Sequence, residues 1–247
     1  MVDIGPCKTH SNDGVRMDTL IAVYVYNGAP CVWIFMPETF GYTMVEPEAS
    51  DNVQHPGHKL RLKDLEKPPV ELFVLGTEID KILQNKTIAI VGSRKVNEQS
   101  LESAYNYGKK CAEANSVVIS GLALGIDTSA FEGALSSDGV CIAVLPSPVD
   151  EVVPKQNQKL AEEILKKGGC LVSEYPSGKT LQKWMFVERN RIIAALSDLV
   201  VICAGRENGG AWKTIHTAWK LKRPTFQLDD QGILTQLVNP QRGLFDE

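Results

Sequence analysis

The chain has 247 residues, 43% of them hydrophobic, which suits one large α/β domain with a small appendage and excludes a disordered chain. No apolar run reaches the ~18–20 residues of a membrane span, and the first residues lack the basic-then-apolar order of a secretory signal, so the expected location is the cytoplasm. The net charge of −4 excludes a uniformly basic nucleic-acid binder, but nine basic and three acidic residues within 179–223 make that segment +6 and leave −10 elsewhere, a polarity that points to an anionic partner at one face.

Near the N-terminus, residues 20–26 are strand-like, Asn27-Gly28 is a hairpin signal, and residues 31–36 read as the returning strand. Residues 1–55 are therefore expected to form a small β-rich appendage, with a polar linker over 51–59 that contains Pro56-Gly57. From Thr87 onward the pattern becomes regular. Residues 87–91 are a continuous β-branched run, as a parallel strand buried on both faces requires. A helix is predicted over 98–114, with Leu101, Ala104, Tyr105, Gly108, Cys111 and Ala112 inward.

Further strands are predicted over 117–119, 140–145, 170–172 and 199–203, with a last one beginning at 224–226. Helices are predicted between them, over 128–135, 156–167, 190–196 and 211–221. This alternation gives an α/β fold for residues 56–247: a doubly wound, mostly parallel sheet of extended Rossmann-like type. The six cysteines form no C-x-x-C pair, so no metal site is expected, and Cys141, Cys170 and Cys203 read as buried thiols within strands.

In such a sheet, ligands bind beyond the carboxyl ends of the strands. Gly92-Ser93-Arg94 follows the first strand of this domain, and the loop from Ser120 through Gly121 and Gly125 to Asp127 follows the second. Glu174 to Lys179 follows the fourth, and Gly209-Gly210 opens the helix after the fifth. Glycines let backbone N–H groups approach an oxyanion, and helix N-termini add donors and dipole. Arg94 adds a forked cation.

Arg189-Asn190-Arg191 precedes an apolar helix, and its two arginines point in different directions. One is expected to face ligand and the other to pair with a carboxylate such as Asp198. Trp184 lies in a basic loop and is the candidate for base stacking, whereas Trp212 and Trp219 share a helical face and read as core. Asp127 reads as a helix cap. Neither the dinucleotide G-x-G-x-x-G fingerprint nor a Walker A loop is present.

These motifs, taken in order, resemble the DNA-processing protein A (Smf) family. The resemblance runs from about residue 56 to 228. It rests on Ile90-Val91-Gly92-Ser93-Arg94, on 120–128, Pro154-Lys155-Gln156-Asn157, Ser173-Glu174-Tyr175-Pro176 and Arg189-Asn190-Arg191-Ile192-Ile193. It implies a Rossmann-like protein that binds single-stranded DNA, often as a homodimer, and helps to load a RecA-type recombinase in recombination or natural transformation. It implies no catalytic turnover and no cofactor. The family's pocket falls on Gly92, Ser93, Arg94, the loop around Gly121 and Gly125, Lys179 and 189–191, with Lys213 and Thr214 at the start of the last helix.

The chain departs from the family pattern at several places. Phe131 stands where the family has His, and Gly209-Gly210-Ala211-Trp212-Lys213-Thr214 replaces a Ser-Gly-Ser-Leu-Ile-Thr run. The family's helical N-terminal domain and C-terminal winged helix have no counterpart in this reading. A second reading is a nucleotide sensor or a phosphoribohydrolase-like enzyme of the related lysine-decarboxylase-like fold. Gly209-Gly210 fits it, but His216 stands where its catalytic Glu would, leaving only Asp127 and Glu174 as acids.

Overall fold

The computed structural model describes the backbone of residues 20–26, 29–38 and 41–45, and residues 57–207 and 209–240 in full. The chain divides into two units between Val53 and Gln54. In the first, β1 (Leu20–Tyr26), β2 (Ala29–Glu38) and β3 (Gly41–Val45) form an antiparallel sheet in that order. Tyr26 pairs with Ala29; the hairpin signal at Asn27-Gly28 lies outside the described residues. The returning strand is longer than expected, and β3 adds a third that the sequence reading did not foresee.

The second unit begins with α1 (His58–Leu62), β4 (Phe73–Gly76) and α2 (Ile79–Ile82). There follow β5 (Thr87–Gly92), α3 (Glu98–Glu113), β6 (Val117–Ser120), α4 (Ile126–Ser136), β7 (Cys141–Val144), α5 (Gln158–Lys166) and β8 (Cys170–Ser173). The chain continues through α6 (Met185–Glu188), α7 (Asn190–Leu196), β9 (Leu199–Cys203), α8 (Gly210–Lys220), β10 (Thr225–Leu228) and β11 (Leu234–Gln236). The sheet has eight strands in the order β11-β10-β9-β5-β6-β7-β8-β4. The six inner strands are parallel, and β4 and β11 close the two edges in antiparallel fashion.

The fold is thus the doubly wound sheet that the β-α alternation predicts. The chain winds outward from β5 to β8 and returns to β9 on the other side of β5, so the topological switch point lies between β5 and β9. Strands β6 to β9 are buried throughout, which explains their unbroken apolar composition. One core cluster joins Ala89, Val91, Ile119, Ile142, Val144, Val172, Val200 and Ile202 to α1, α2, α7 and α8. The alternate strand residues, such as Ile88, Ile90 and Val118, are equally buried and pack toward the opposite layer of α3, α4 and α5.

Two expectations change. Helix α3 buries Ser103 and Tyr107 rather than Leu101 and Tyr105, so its inward stripe is rotated within the predicted span. The stretch read as a linker to Lys59 is already helical from His58, whose N–H donates to Asp80 Oδ1 at 2.7 Å. The same short helix delivers Arg61 into the interior. Its Nη1 donates to Leu196 O at 2.9 Å and lies 3.0 Å from Asp198 Oδ1. Asp198 Oδ2 in turn accepts from Thr87 N at 2.8 Å. This network pins α1 to the start of β5 and the end of α7.

Cys111, Cys141, Cys170 and Cys203 are buried free thiols. Burial pushes Cys111 and Cys170 up to about 12, so none of these two is a thiolate near neutrality. Replacing Asp198 with Ala removes the carboxylate facing a fully buried guanidinium. Denaturant unfolding should show a loss of about 3–5 kcal/mol; a loss below about 1 kcal/mol would show that the network is not what anchors α1.

Candidate functional site

Two of the rim loops meet where the sequence analysis places a site. Ile126 N donates to Ser93 O at 3.3 Å, so the turn after β6 leans on the turn after β5. A Cβ on Gly125, which has φ +86°, would lie 2.5 Å from Ser93 O and 2.8 Å from Arg94 O, so only glycine closes this contact. Arg94 projects from the joined turns. It is exposed, and its Cζ stands 5.0 Å from the centre of the Phe186 ring, a cation held over an aromatic face.

Beneath these loops lies Arg189, only 4% exposed. Its Nη1 donates to Val144 O at 2.6 Å, its Nε donates to Asn190 Oδ1 at 2.9 Å, and its Nη2 lies 3.8 Å from Asp127 Oδ2. A Cβ on Gly121 would fall 1.6 Å from Nη1, so the absent side chain of Gly121 is the space the guanidinium occupies. Asp127 accepts from Gly121 N at 3.1 Å and from Ala123 N at 3.3 Å. It therefore straps the loop before α4, which corrects the reading of Asp127 as a simple helix cap. Burial lowers Arg189 to about 10, against the pull of Asp127, and the positive charge of Arg94 lowers it further. Arg189 stays cationic near neutrality, and the two arginines sit within each other's field.

The Arg189-Asn190-Arg191 cluster is thus mostly structural. Asn190 Nδ2 donates to Gly210 O at 2.9 Å, tying the buried arginine to the start of α8. Arg191 makes a two-pronged pair with Glu174, at 2.8 Å and 2.6 Å, and its Nε donates to Lys67 O at 2.8 Å. Its partner is therefore Glu174 and not Asp198, which Arg61 holds. Ser120 is also internal: fully buried, its Oγ donates to Ile90 O at 2.6 Å.

The helix ends at the rim differ in charge. Asp230 closes the start of α3, accepting from Ser100 Oγ at 2.5 Å and from Asn97 Nδ2 at 2.9 Å. The first turn of α4 carries a carboxylate, Asp127, although no side chain caps that helix. The start of α8, at Gly209-Gly210, has neither an acidic residue in its first turn nor a side-chain cap. Lys213 is exposed in that turn, and Thr214 is buried with no hydrogen-bond partner for its Oγ1 among the described residues.

Lys179 and Trp184 are exposed in the segment after β8. Trp184 is 54% exposed and meets the Tyr175 ring edge-on, with centroids 6.2 Å apart. Of the sequence candidates, Gly92, Ser93, Arg94, Gly121, Gly125, Asp127 and Arg189 form one contiguous group, joined through Asn190 to Gly210. The sequence reading missed Phe186 as the support of Arg94 and Asp230 as a plug. A ring 92 positions from its arginine leaves no local signal. Among the described residues, no cluster of three or more His, Cys, Asp or Glu is placed to hold a metal ion.

The DNA recombination-mediator protein A family matches residues 51–237. The DNA processing protein DprA of Bacillus subtilis (strain 168) is 32% identical over 165 residues, covering 67% of this chain and 55% of the relative. That of Streptococcus pneumoniae is 34% identical over 167 residues, 68% of this chain and 58% of the relative. The chain spans about half the length of the curated relatives it matches.

Two solved structures are similar. One, of Helicobacter pylori DNA processing protein A and its single-stranded DNA binding mode, is 30% identical at TM-score 0.62, covering 71% of this chain and 77% of that one. The other, of DNA processing protein A from Streptococcus pneumoniae, is 34% identical at TM-score 0.62, covering 68% and 58%.

Substituting Gly121→Ala forces a methyl into the buried guanidinium. Denaturant unfolding should show a loss of about 1–3 kcal/mol. Unchanged stability would mean that Arg189 has room to withdraw.

Proposed function

The chain belongs to the DNA recombination-mediator protein A family, and from that footing we propose that it binds single-stranded DNA along the carboxyl rim of its sheet, by contact and without catalysis. The observation that carries this reading is Arg94, exposed at the meeting of two glycine turns and backed by the Phe186 ring. A guanidinium so placed meets a phosphate with a planar fork while its hydrocarbon stem and ring stay covered. Gly209-Gly210 and Lys213 offer an acid-free helix start, and Lys179 and Trp184 offer a cation and an exposed ring in the segment after β8. Cations interleaved with rings suit a single strand, whose bases are free to stack.

In this reading Arg189, Asn190 and Asp127 do not touch DNA. They hold the rim in shape. Residues 56–247 form the binding domain, with residues 1–55 as a separate β-rich appendage. The protein acts in the cytoplasm as a homodimer and passes its strand to a RecA-type recombinase, in recombination or DNA uptake. The nucleotide-hydrolase reading is disfavoured by where its acids stand: Glu174 is clamped by Arg191, and Asp127 is held by two backbone amides. Neither carboxylate is free to move a proton to or from a substrate.

Binding to a labelled oligothymidylate should weaken steeply as salt rises, because each neutralised phosphate releases counterions. Arg94→Ala should weaken it by roughly tenfold and reduce the salt slope by about one. Arg94→Lys should restore the slope but not the full affinity. An Arg94→Ala variant that binds like the wild type would remove the rim from the account.

A further inference from the structure

Helix α8 differs in charge from the other long helices. It carries no carboxylate between Gly210 and Lys220, and the acid-free run continues to Pro224. By contrast, α3 carries Glu98, Glu102 and Glu113, α4 carries Asp127 and Glu132, and α5 carries Glu162 and Glu163. Lys213, Lys220 and Lys222 are all exposed. The Lys220 Nζ lies 2.7 Å from Glu66 Oε1, an exposed pair that holds the lysine only weakly.

Beside these lysines runs a ladder of rings. The His216 ring is 6.0 Å from that of Trp212 and 5.4 Å from that of Trp219, and the two indoles meet edge-to-face at 6.1 Å. His216 is exposed and the indoles are half-buried. Trp212 Nε1 donates to Gly205 O at 3.1 Å, and Trp219 Nε1 donates to Thr225 Oγ1 at 2.8 Å. With those polar atoms already bonded to the protein, what the indoles leave at the surface is ring carbon. A core alone would not require the exposed imidazole that bridges them.

We propose that this flank of α8 is a second contact for single-stranded nucleic acid, taking up the strand as it leaves the rim at Gly209-Gly210. Bases lie against Trp212, His216 and Trp219, and phosphates pass Lys213, Lys220 and Lys222. The helix is about 16 Å long, enough to add several nucleotides to the footprint. A lysine-rich helix with no carboxylate of its own also suits a polyanion better than a protein partner, because lysine is depleted in protein interfaces. The inference rests on the function proposed above and extends its site.

The test compares oligothymidylates of about six and about twenty nucleotides, by fluorescence anisotropy, on the full chain, His216→Glu and His216→Glu/Lys220→Gln. Both positions are exposed, and thermal melting checks that the variants fold. The short strand should bind all three proteins alike, while the long strand should lose roughly tenfold on the double variant. The long strand should also quench tryptophan emission more than the short one, and Trp219→Phe should reduce that difference. Equal behaviour of the two lengths in every protein overturns the proposal and leaves the rim intact. Failure of the wild type to bind either length overturns the rim reading and this extension with it. Variants that change sedimentation but not affinity would make the flank a protein contact and overturn the proposal.

Discussion

A guanidinium buried under the lip of a parallel sheet is the constraint on which this site depends. Taking Arg189 out of water is costly unless every prong is met. The structure meets it with a strand-end carbonyl at Val144, an amide oxygen at Asn190 and a carboxylate at Asp127. Each of those groups also organises a different loop. Asp127 straps the turn after β6, Asn190 anchors the start of α8, and the space for the cation exists only because position 121 has no side chain. One buried charge thus holds three rim segments in register.

The rim also shows where anions are not received. An open sheet of this kind commonly places a phosphate at the helix after its first parallel strand. Here Asp230 reaches back from the turn between β10 and β11 and occupies that helix start. The first turn of α4 carries its own carboxylate, Asp127, turned back onto the loop before it. Of these three helix starts, that of α8 alone has no acidic residue in its first turn, and the exposed Lys213 lies there instead. Chemistry at this rim is therefore a matter of which helix start lacks a carboxylate, in addition to how many glycines line it.

The repeated units from Thr87 to Leu228 were legible because strands β5 to β9 are buried on both faces and must be largely apolar, while each helix shows a single stripe. Elements lacking that signature escaped. Strand β4 is an edge with Val74 and Leu75 exposed, β11 has three residues, and α1 buries an arginine and so reads as polar linker. Within the site the loops were legible, since glycine and arginine after a strand carry their own chemical meaning. Partner choice was not. Arg191 selects Glu174, and Arg61 selects Asp198 across 137 positions, because folding decides which carboxylate is near. The neighbouring arginines 189 and 191 look alike in sequence and end in different structural roles.

The central claim is that a preformed cationic rim accepts an unpaired strand in preference to other phosphate-bearing ligands. Equilibrium competition on the unmodified protein tests it most directly. A labelled single strand is displaced in turn by unlabelled single strand, duplex of the same sequence, and adenosine monophosphate. The account predicts displacement by the single strand at the lowest concentration, with weak duplex competition and negligible competition by the mononucleotide. Displacement by the mononucleotide as readily as by the strand would contradict it.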